Sequence, residues 1–380
     1  MIDPSNFVDT LQGLGITFAT GVPDSLLKDV CATITDRFEA DRHIIAANEG
    51  AAVGIAIGHY VATSEPALVY MQNSGLGNAL NPLISLADPE VYAVPMVLMI
   101  GWRGEIWEDG TQERDEPQHK KQGKITLDLL RVLNIPYAIF DSNGDTKKIL
   151  ANLIQKSKDR QGPTALVVRK ATFAPCVLSG EPEPADLLTR EECIHLVIQA
   201  LSTDTVVVAT TGMISRELFE LRKAQARGHY LDFLTVGGMG HAISIATGIA
   251  VMCPKRTILC LDGDGAVLMH TGALANSAIQ SNLLHIVLNN GAHDSVGGQP
   301  TRAAEIPLQD IARACGYGYS CLVQQADRIQ EAITEAANIK ASAFIEIKCR
   351  RGNRKNLSRP ERSPVENKEH LMSFLKGGMQ

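Results

Sequence analysis

Short runs of Val, Ile and Leu alternate with longer segments of helical periodicity along almost the whole chain. Continuous apolar runs are typical of strands that are buried on both faces, and the segments between them are long enough for crossover helices. The alternation therefore predicts layers of parallel strands and helices. The predicted strands are ITFATG from Ile16, HIIAAN from His43, PALVYMQ from Pro66, VPMVLMIG from Val94, IPYAIF from Ile135, PTALVVRK from Pro163, VVVATTG from Val206, HYLDFLT from His229, TILCLDGDG from Thr257, LHIVLNNG from Leu284, YSCLV from Tyr319 and AFIEIKC from Ala343.

One segment interrupts this alternation and divides the chain into two similar halves. Residues 174–186 read APCVLSGEPEPAD, which is rich in proline and has no periodicity. The pattern then starts again with TREECIHLVIQALS, where Thr189 and Glu192 form a capping-box pattern that marks a helix start. We predict an α/β fold of two tandem domains, each a mostly parallel sheet flanked by helices. The predicted bounds are 1–173, a linker over 174–188, 189–350, and a tail over 351–380 that ends in a short helix.

Composition and charge narrow the class of protein. The 36 basic residues against 42 acidic ones give a net charge of −6, which argues against a broad nucleic-acid surface. Apolar runs such as 243–252 are too short to span a bilayer, and the acidic N-terminus does not resemble a signal peptide. The eight cysteines show no CxxC pattern, which predicts reduced thiols. We expect a cytoplasmic protein with a small ligand and no nucleic-acid or membrane partner.

The stretch from Leu261 to Asn290 carries the strongest chemical signal. Gly263-Asp264-Gly265 ends one apolar strand, and Asn289-Asn290-Gly291 ends the next after 23 intervening residues. Because neighbouring parallel strands bring their carboxyl ends together, Asp264 and Asn290 are expected to face one ion. Magnesium prefers such oxygen ligands, and glycines let the backbone approach a diphosphate. A GDG string alone is weak evidence, since Gly-rich turns also follow strands for conformational reasons.

The paired strings resemble those of the thiamin-diphosphate (ThDP) enzyme family. The resemblance implies that Asp264, Asn290 and the carbonyl of Ala292 bind Mg²⁺, and that Glu49 activates the cofactor's aminopyrimidine. Glu49 also begins a predicted helix, a position that favours a glutamate for purely electrostatic reasons. Met239 and Gly237 match the apolar support under the bent cofactor and the carbonyl that receives its amino group. The cofactor-binding residues implied in this way are Glu49, Asn73, Gly237, Met239, Gly263, Asp264, Gly265, Ala266, Asn290, Ala292 and His293.

The absence of room for a middle domain narrows the resemblance to phosphonopyruvate decarboxylases and the related sulfopyruvate decarboxylases. The strings that carry it are GWRGE (101–105), DEPQH (115–119) and HDSVGGQPT (293–301). The resemblance implies non-oxidative decarboxylation of 3-phosphonopyruvate to phosphonoacetaldehyde and CO₂ through a ThDP enamine. It also implies at least a homodimer, with the active site between subunits. The segment 106–114 is longer and more acidic than the resemblance implies, which leaves the substrate open.

Further residues receive roles from the same resemblance. Asp24 and Ser25 match a polar active-site position, although either also suits an N-cap for the helix that follows. His119 and Asp294 are predicted to relay the proton that quenches the reaction. The phosphonate needs cationic groups, although isolated charges are more often solvated surface residues. The predicted substrate-binding residues are Arg103, Lys120, Lys121, Arg351 and Arg354.

Three alternatives stay open at this level. Sulfopyruvate differs from phosphonopyruvate by one charge and one oxygen-bearing atom. Another ThDP reaction, such as carboligation to an aldehyde, would use the same site. A non-enzyme, either a silent ThDP-fold subunit or a nucleotide-binding regulatory module, has no need for Glu49, Met239, Asp264 and Asn290 together, and their presence argues against it.

Overall fold

The computed structural model describes residues 1–179, 186–225 and 229–377. The chain divides into two compact units, Met1–Glu181 with Val296–Gln299 and Pro182–Ser295 with Pro300–Gln380. Residues 180–185 of the predicted linker lie outside the described residues, and the predicted domain bounds stay a prediction.

The first unit contains a sheet of six parallel strands in the order β2-β1-β3-β4-β6-β5. A 3-10 turn, Asn73–Gly75, directly follows β3, and a π-helical turn, Leu83–Ala87, follows α4. The helices and strands are α1 (Pro4–Gly13), β1 (Ala19–Gly21), α2 (Lys28–Arg37), β2 (His43–Ile45), α3 (Glu49–Thr63), β3 (Ala67–Gln72), α4 (Leu76–Pro82), β4 (Met96–Gly101), α5 (Pro117–Val132), β5 (Tyr137–Phe140), α6 (Thr146–Arg160) and β6 (Pro163–Val168).

The second unit also contains a sheet of six parallel strands, in the order β11-β12-β10-β9-β7-β8. Short 3-10 turns, Asp294–Val296 and Arg302–Ala304, lie between β10 and α12. The helices and strands are α7 (Arg190–Ala200), β7 (Val206–Ala209), α8 (Met213–Ala224), β8 (Asp232–Leu234), α9 (Ala242–Met252), β9 (Ile258–Gly263), α10 (Asp264–Met269), α11 (Ala273–Ser277), β10 (Leu283–Asn289), α12 (Leu308–Ala314), β11 (Tyr319–Val323), α13 (Ala326–Asn338), β12 (Ala343–Lys348) and α14 (Pro364–Gly377).

Both sheets have the same topology. In each unit the first strand lies between the second and the third, so β1 separates β2 from β3 and β7 separates β8 from β9. The chain therefore reverses direction across each sheet beside its first strand. Ligands of open α/β sheets bind in the crevice that this reversal leaves at the carboxyl ends of the strands.

Burial on both faces explains why the strands are apolar throughout. Along β3, Leu68 and Tyr70 belong to one core layer of the first unit, and Val69 and Met71 belong to the other. Helices cover both faces of such a sheet, so alternate side chains meet different layers. The predicted α/β fold class is confirmed in both units.

All twelve predicted strands are present, and most are shorter than the apolar runs that predicted them. Some runs extend past the end of the strand, as at Asp264, where α10 begins directly after β9, and others begin before it, as at Ile16, three residues before β1. The capping box is confirmed: Glu192 N donates to the Thr189 hydroxyl at 3.2 Å, and Thr189 N donates to the Glu192 carboxylate at 2.8 Å. Among the described helices, none combines the length and apolarity that a bilayer span requires.

The N-cap expected at Asp24 or Ser25 is wrong. Helix α2 begins at Lys28, and its N-cap residue, Leu27, has no side-chain hydrogen bond to the helix. A turn separates Asp24 from the helix, and the Asp24 carboxylate accepts a hydrogen bond from Leu26 N at 3.1 Å within that turn. Asp24 thus stabilises a turn that follows β1.

The acidic segment 106–114 forms a tight hairpin. Ile106 and Gln112 form an antiparallel bridge, Trp107 N donates to Thr111 O at 2.8 Å, and Gly110 has a φ of 80°. The Arg169 guanidinium lies 4.8 Å from the centre of the Trp107 indole ring. The extra residues of this segment are therefore accommodated locally within the first unit.

Helix α5 passes so close to the segment after β4 that it requires a glycine. A Cβ on Gly123 would lie 1.7 Å from the carbonyl oxygen of Gly104, and Gly123 O accepts a hydrogen bond from Trp102 Nε1 at 2.9 Å. We predict that Gly123→Ala lowers stability by about 2 kcal/mol or more, because the steric conflict with the backbone exceeds the gain in helix propensity. Thermal unfolding followed by circular dichroism measures this change. The control, Gly13→Ala at the end of α1, has nothing within 4 Å of the added Cβ and should leave the unfolding temperature unchanged or slightly raised; equal unfolding temperatures for the two variants would contradict the prediction.

Candidate active site

A cavity lies in the second unit where β7, β9 and β10 end. It occupies the side of β7 on which β9 lies, which is the position that the strand order predicts for a ligand. Eight of the eleven predicted cofactor-binding residues line this cavity, and the other three are Glu49, Asn73 and Gly237. The cavity is lined by Arg190, Thr210, Thr211, Met213, Ile214, Met239, Gly263, Asp264, Gly265, Ala266, Leu288, Asn290, Ala292, His293, Asp294 and Ser295.

Asp264 is a deeply buried carboxyl group in the wall of this cavity. It is the first residue of α10, only 3% exposed, and its carboxylate accepts a hydrogen bond from the Thr301 hydroxyl at 2.5 Å. Burial raises the pKa of this carboxyl to about 6, although the bond from Thr301 favours the ionised form. A buried carboxylate of this kind is stabilised by a cation, so the residue fits a metal ligand.

Asn290 and Ala292 are held in one loop after β10. Asn290 Nδ2 donates to Asp294 Oδ2 at 2.6 Å, and Asn290 Oδ1 accepts from Ala292 N at 3.1 Å. Ala292 also forms an antiparallel bridge with Pro300, which returns the chain to Thr301. Carboxylate, amide and carbonyl oxygens are the ligands that Mg²⁺ prefers, so this set fits the predicted ion.

Two glycines allow close packing around α10. A Cβ on Gly265 would lie 3.0 Å from Cε1 of His293, and a Cβ on Gly240 would lie 2.7 Å from the carbonyl oxygen of Ala266. Burial lowers the pKa of His293 to about 4, so its imidazole is neutral near pH 7. Met239 precedes Gly240 in the same loop and lines the cavity. Gly237, two residues earlier, is partly exposed and is not one of the cavity-lining residues in the described part of the chain.

Glu49 is held firmly at the start of α3 in the first unit. It is 6% exposed, and its Oε2 accepts a hydrogen bond from Asn78 Nδ2 at 2.7 Å. A Cβ on Gly75 would lie 2.5 Å from Glu49 Oε1, so only glycine leaves room for this carboxylate. Gly75 and Asn78, in the segment QNSGLGN (72–78), therefore hold Glu49 in place. The sequence alone did not predict this role for them.

Asp24 lies at the carboxyl end of β1 in the same unit and is fully buried. Its Oδ1 accepts a hydrogen bond from Gln72 Nε2 at 2.6 Å, and burial raises the pKa of its carboxyl. A Cβ on Gly101 would lie 2.0 Å from Asp24 Oδ2. Strands β1, β3 and β4 thus enclose a carboxyl group whose burial favours the protonated form.

Arg103 already has strong partners. Its guanidinium donates to both oxygens of Asp115, at 2.7 and 2.5 Å, and to the Ser25 hydroxyl at 2.8 Å. The Asn73 amide donates to Arg103 O and to the Thr126 hydroxyl, both at 3.0 Å. The predicted residues Ser25, Asn73 and Arg103 are therefore joined in one network of the first unit, in which Asp115 neutralises the arginine charge.

The other predicted substrate-binding residues lie in different settings. His119 is buried in the first turn of α5, whereas Lys120 and Lys121 are exposed on that helix. The tail folds back on the second unit, where Gly352 N donates to Asp294 Oδ2 at 2.9 Å. Arg351 is partly buried beside this contact, and Arg354 pairs with Glu191 and Glu220.

Sequence reasoning missed three residues around the cavity. Thr301 binds Asp264, while Arg190 and Glu217 form a buried ion pair at 2.7 Å. The position of Arg190 in the first turn of a predicted helix could have indicated an acidic partner, because a cation there is unfavourable unless an acidic group compensates it. Glu217 and Thr301 show no comparable pattern, since their partners are distant in the sequence.

The chain is similar to known proteins in both halves. Residues 5–127 match the thiamine pyrophosphate enzyme, N-terminal TPP binding domain, and residues 210–347 match the thiamine pyrophosphate enzyme, C-terminal TPP binding domain. Phosphonopyruvate decarboxylase of Streptomyces viridochromogenes is 31% identical over 99% of this chain and 95% of that protein. Sulfopyruvate decarboxylase of Methanosarcina acetivorans is 27% identical over 91% of each. A solved structure of benzoylformate decarboxylase from Polynucleobacter necessarius aligns with 93% of this chain and 100% of that chain, with 13% identity and a TM-score of 0.39.

The Arg103–Asp115 pair predicts a specific pH dependence of stability. Burial alone would raise the pKa of Asp115, but the hydrogen bonds from Arg103 overcome it and hold the pKa at about 2. Because this lies below the unfolded value of about 3.9, the stabilisation is complete above about pH 4 and is lost as the pH falls towards 2. Asp115→Asn should therefore unfold a few degrees below the parent chain at pH 7 and show a shallower decline between pH 4 and 2.

Thermal unfolding of both proteins between pH 2 and 7 measures this difference. Asp128→Asn is the matched control, because the pair of Asp128 with Arg131 is exposed, with side-chain exposures of 71% and 59%. That variant should follow the parent curve. Superimposable curves for Asp115→Asn and the parent would disprove the contribution of the buried pair.

Proposed function

The chain belongs to the thiamine pyrophosphate (ThDP) enzyme family, and on that basis we propose that it is a Mg²⁺-dependent carboxy-lyase that converts 3-phosphonopyruvate into phosphonoacetaldehyde and CO₂. The observation that carries the substrate is the 31% identity to a phosphonopyruvate decarboxylase over 99% of this chain. The buried Asp264 in the cavity of the second unit supports the cofactor and its metal ion.

The chemistry needs an electron sink, because decarboxylation of a 2-keto acid leaves an electron pair on the former carbonyl carbon. The thiazolium of ThDP supplies that sink when the cofactor is bound. In this proposal Asp264, Asn290 and the carbonyl of Ala292 would hold Mg²⁺, which would offset the charge of the diphosphate. The Glu49 carboxylate, which Asn78 and Gly75 hold in place, would serve as the acid–base group for the bound cofactor.

Proton transfer to the product needs a side chain that can hold and release a proton. The raised pKa of the buried Asp24 carboxyl supports this assignment for Asp24, and His119 stays in the proposal with it. Arg103 and Arg354 already share their charge with carboxylates, which reduces what each offers to a phosphonate. The exposed Lys120 and Lys121, together with Arg351, complete the proposed cationic set.

A homo-oligomer with its active site between subunits is part of the same proposal. Helix α3 supports it, because the helix exposes Ala51, Gly54, Gly58 and Val61 on one face, and 75% of the Val61 side chain is accessible. Small residues on a helix face allow a second backbone to approach closely. A cytoplasmic location also stays within the proposal. A monomer with full activity would overturn the part that concerns assembly.

Sulfopyruvate is the second candidate substrate, since a sulfopyruvate decarboxylase is 27% identical over 91% of this chain. The two substrates share the 2-keto acid and differ in the charge and geometry of the tail. Parallel assays of CO₂ and aldehyde formation from each substrate, with and without ThDP and Mg²⁺, distinguish them. We expect cofactor-dependent turnover with a preference for 3-phosphonopyruvate. A preference for sulfopyruvate would make sulfopyruvate the assigned substrate in place of 3-phosphonopyruvate. Turnover that is undiminished without ThDP and Mg²⁺ would overturn the cofactor assignment.

Replacing Glu49 tests its proposed role directly. Glu49→Gln keeps the size and the contacts with Asn78 and Gly75 but removes the group that exchanges a proton. We predict a fall in turnover of about 10²-fold or more, with ThDP affinity changed by less than about threefold, because the loss is confined to proton transfer. Steady-state kinetics and equilibrium dialysis of ThDP measure the two effects.

The control for this substitution is Glu65→Gln in the same unit. Glu65 is exposed and accepts a hydrogen bond from the Thr17 hydroxyl at 3.2 Å. This variant should keep the turnover of the parent. If Glu49→Gln also turns over at the parent rate, Glu49 has no part in activation.

A further inference from the structure

A buried cluster of one guanidinium and two carboxyl groups lies beside the loop that contains Asn290 and Ala292. Arg190 is 4% exposed, and its guanidinium donates to both oxygens of Glu217, at 2.7 and 2.8 Å. Its remaining terminal nitrogen donates to Asp294 Oδ2 at 2.7 Å. The same oxygen of Asp294 accepts from Asn290 Nδ2 at 2.6 Å. An unbroken chain of contacts thus leads from Glu217 through Arg190 and Asp294 to Asn290.

We propose that Arg190 is a positioning residue for the metal ligand Asn290 and acts on it through Asp294. This inference rests on the proposed function, because it presumes that Asn290 binds Mg²⁺. It assigns Asp294 to the support of the metal site, whereas the sequence predicts a proton relay for that residue. Arg190 and Glu217 have no predicted role in the site.

The orientation of the Asn290 amide is the quantity that this chain of contacts controls. An amide presents an oxygen on one side and an N–H₂ group on the other, and only the oxygen binds a cation. Asp294 Oδ2 accepts hydrogen bonds from Arg190 Nη1 and from Gly352 N, and as an acceptor it selects the orientation in which Nδ2 of the amide faces it. The oxygen then faces the opposite side, where Ala292 N donates to it at 3.1 Å. Both ends of the amide are therefore assigned by their partners.

Arg190 in turn holds the Asp294 carboxyl group in place. A guanidinium that binds one carboxylate with two parallel hydrogen bonds has little freedom left, so its third contact is also well defined. Glu217 compensates the charge of Arg190, whose place in the first turn of α7 is otherwise unfavourable. The guanidinium of Arg190 is thus held between two carboxyl groups, and its contact with Asp294 has a defined direction.

The C-terminal tail adds a further donor to the same oxygen. Gly352 N donates to Asp294 Oδ2 at 2.9 Å, and Arg190 Nη2 approaches Gly352 O at 3.5 Å. The backbone of Arg350 is bound to Leu188 O at 2.9 Å, which anchors this part of the tail next to α7. The position of Asp294 is thus determined by a helix, by the tail and by Asn290 itself.

The test compares Mg²⁺ requirements rather than activity. We would measure, by equilibrium dialysis of ThDP, the Mg²⁺ concentration for half-maximal binding and the ThDP affinity at saturating Mg²⁺. The variants are Arg190→Met, Arg190→Lys, Asp294→Ala and the double variant Arg190→Met with Asp294→Ala. Since partners of metal ligands typically control affinity by 10–100-fold, each of the Met and Ala variants should raise the half-saturating Mg²⁺ concentration by about tenfold or more.

Three features of the result separate positioning from other roles. The double variant should require no more Mg²⁺ than Asp294→Ala, because both changes break one chain of contacts. The Mg²⁺ requirement of Arg190→Lys should lie between those of the parent and Arg190→Met, since an ammonium keeps one of the contacts. Arg190→Lys also replaces Arg190→Met in the comparison if the Met variant does not fold. ThDP affinity at saturating Mg²⁺ should stay close to that of the parent.

The matched control is Arg222→Met, which breaks another buried ion pair of the second unit. Arg222 Nη2 lies 3.1 Å from Asp232 Oδ1, and neither residue lines the cavity. This variant should unfold at a lower temperature with an unchanged Mg²⁺ requirement.

An unchanged Mg²⁺ requirement in Arg190→Met and Arg190→Lys would overturn the inference. So would additive effects in the double variant together with weaker ThDP binding at saturating Mg²⁺, because Arg190 would then bind the cofactor directly. If the parent chain shows no Mg²⁺-dependent ThDP binding at all, the proposed function fails first, and the inference fails with it. If the parent chain binds ThDP in a Mg²⁺-dependent way and the variants have the same Mg²⁺ requirement, only the inference about Arg190 fails.

Discussion

The arrangement of the cavity in the second unit depends on one constraint, a carboxyl group that is buried at the end of a strand. Asp264 leaves the sheet where β9 ends, and its neighbours among the described residues are a hydroxyl, backbone amides and a second carboxylate, Asp294. Such an environment penalises the ionised form, and a cation removes the penalty. The loop 289–301 is arranged around this need, since it returns Thr301 to Asp264 and places Asn290 and Ala292 in the wall of the same cavity.

The two sheets share one topology but differ in chemistry at the equivalent edge. In the first unit, the polar groups beyond β1, β3 and β4 bind each other, as Asp24 does with Gln72 and Arg103 with Asp115. In the second unit, side chains with oxygen atoms, such as Asp264 and Asn290, line a cavity at the edge beside β7 and β9. The same strand order therefore supports polar groups that bind each other in one case and a cavity lined by oxygen atoms in the other, because the residues after each strand differ.

Periodicity and strand-end motifs predicted much of this arrangement. All twelve strands were recognisable, because burial on both faces makes each run continuously apolar, and Asp264 and Asn290 were placed together by the rule that parallel strands end at one edge. The residues that support them were not recognisable. Thr301 is 37 positions from Asp264, and Glu217 is 27 positions from Arg190, so no local pattern connects either pair. Several strands were predicted too long because residues next to a strand continue its pattern without joining its hydrogen bonds. Ile16 precedes β1 but donates its N–H to Leu11 O, and Asp264 follows β9 but begins α10.

Asp294 illustrates how a tertiary setting limits what a side chain can do. One of its oxygens accepts three N–H groups, from Arg190, Asn290 and Gly352, so its position is fixed by three partners. A residue that fixes the Asn290 amide cannot move without disturbing that amide, so it is poorly suited to a proton relay. Asp24 has a different setting, because burial raises the pKa of its carboxyl. Of these two carboxyl groups, Asp24 is therefore the one whose surroundings favour a proton donor, and Asp294 is the one whose contacts favour a fixed acceptor.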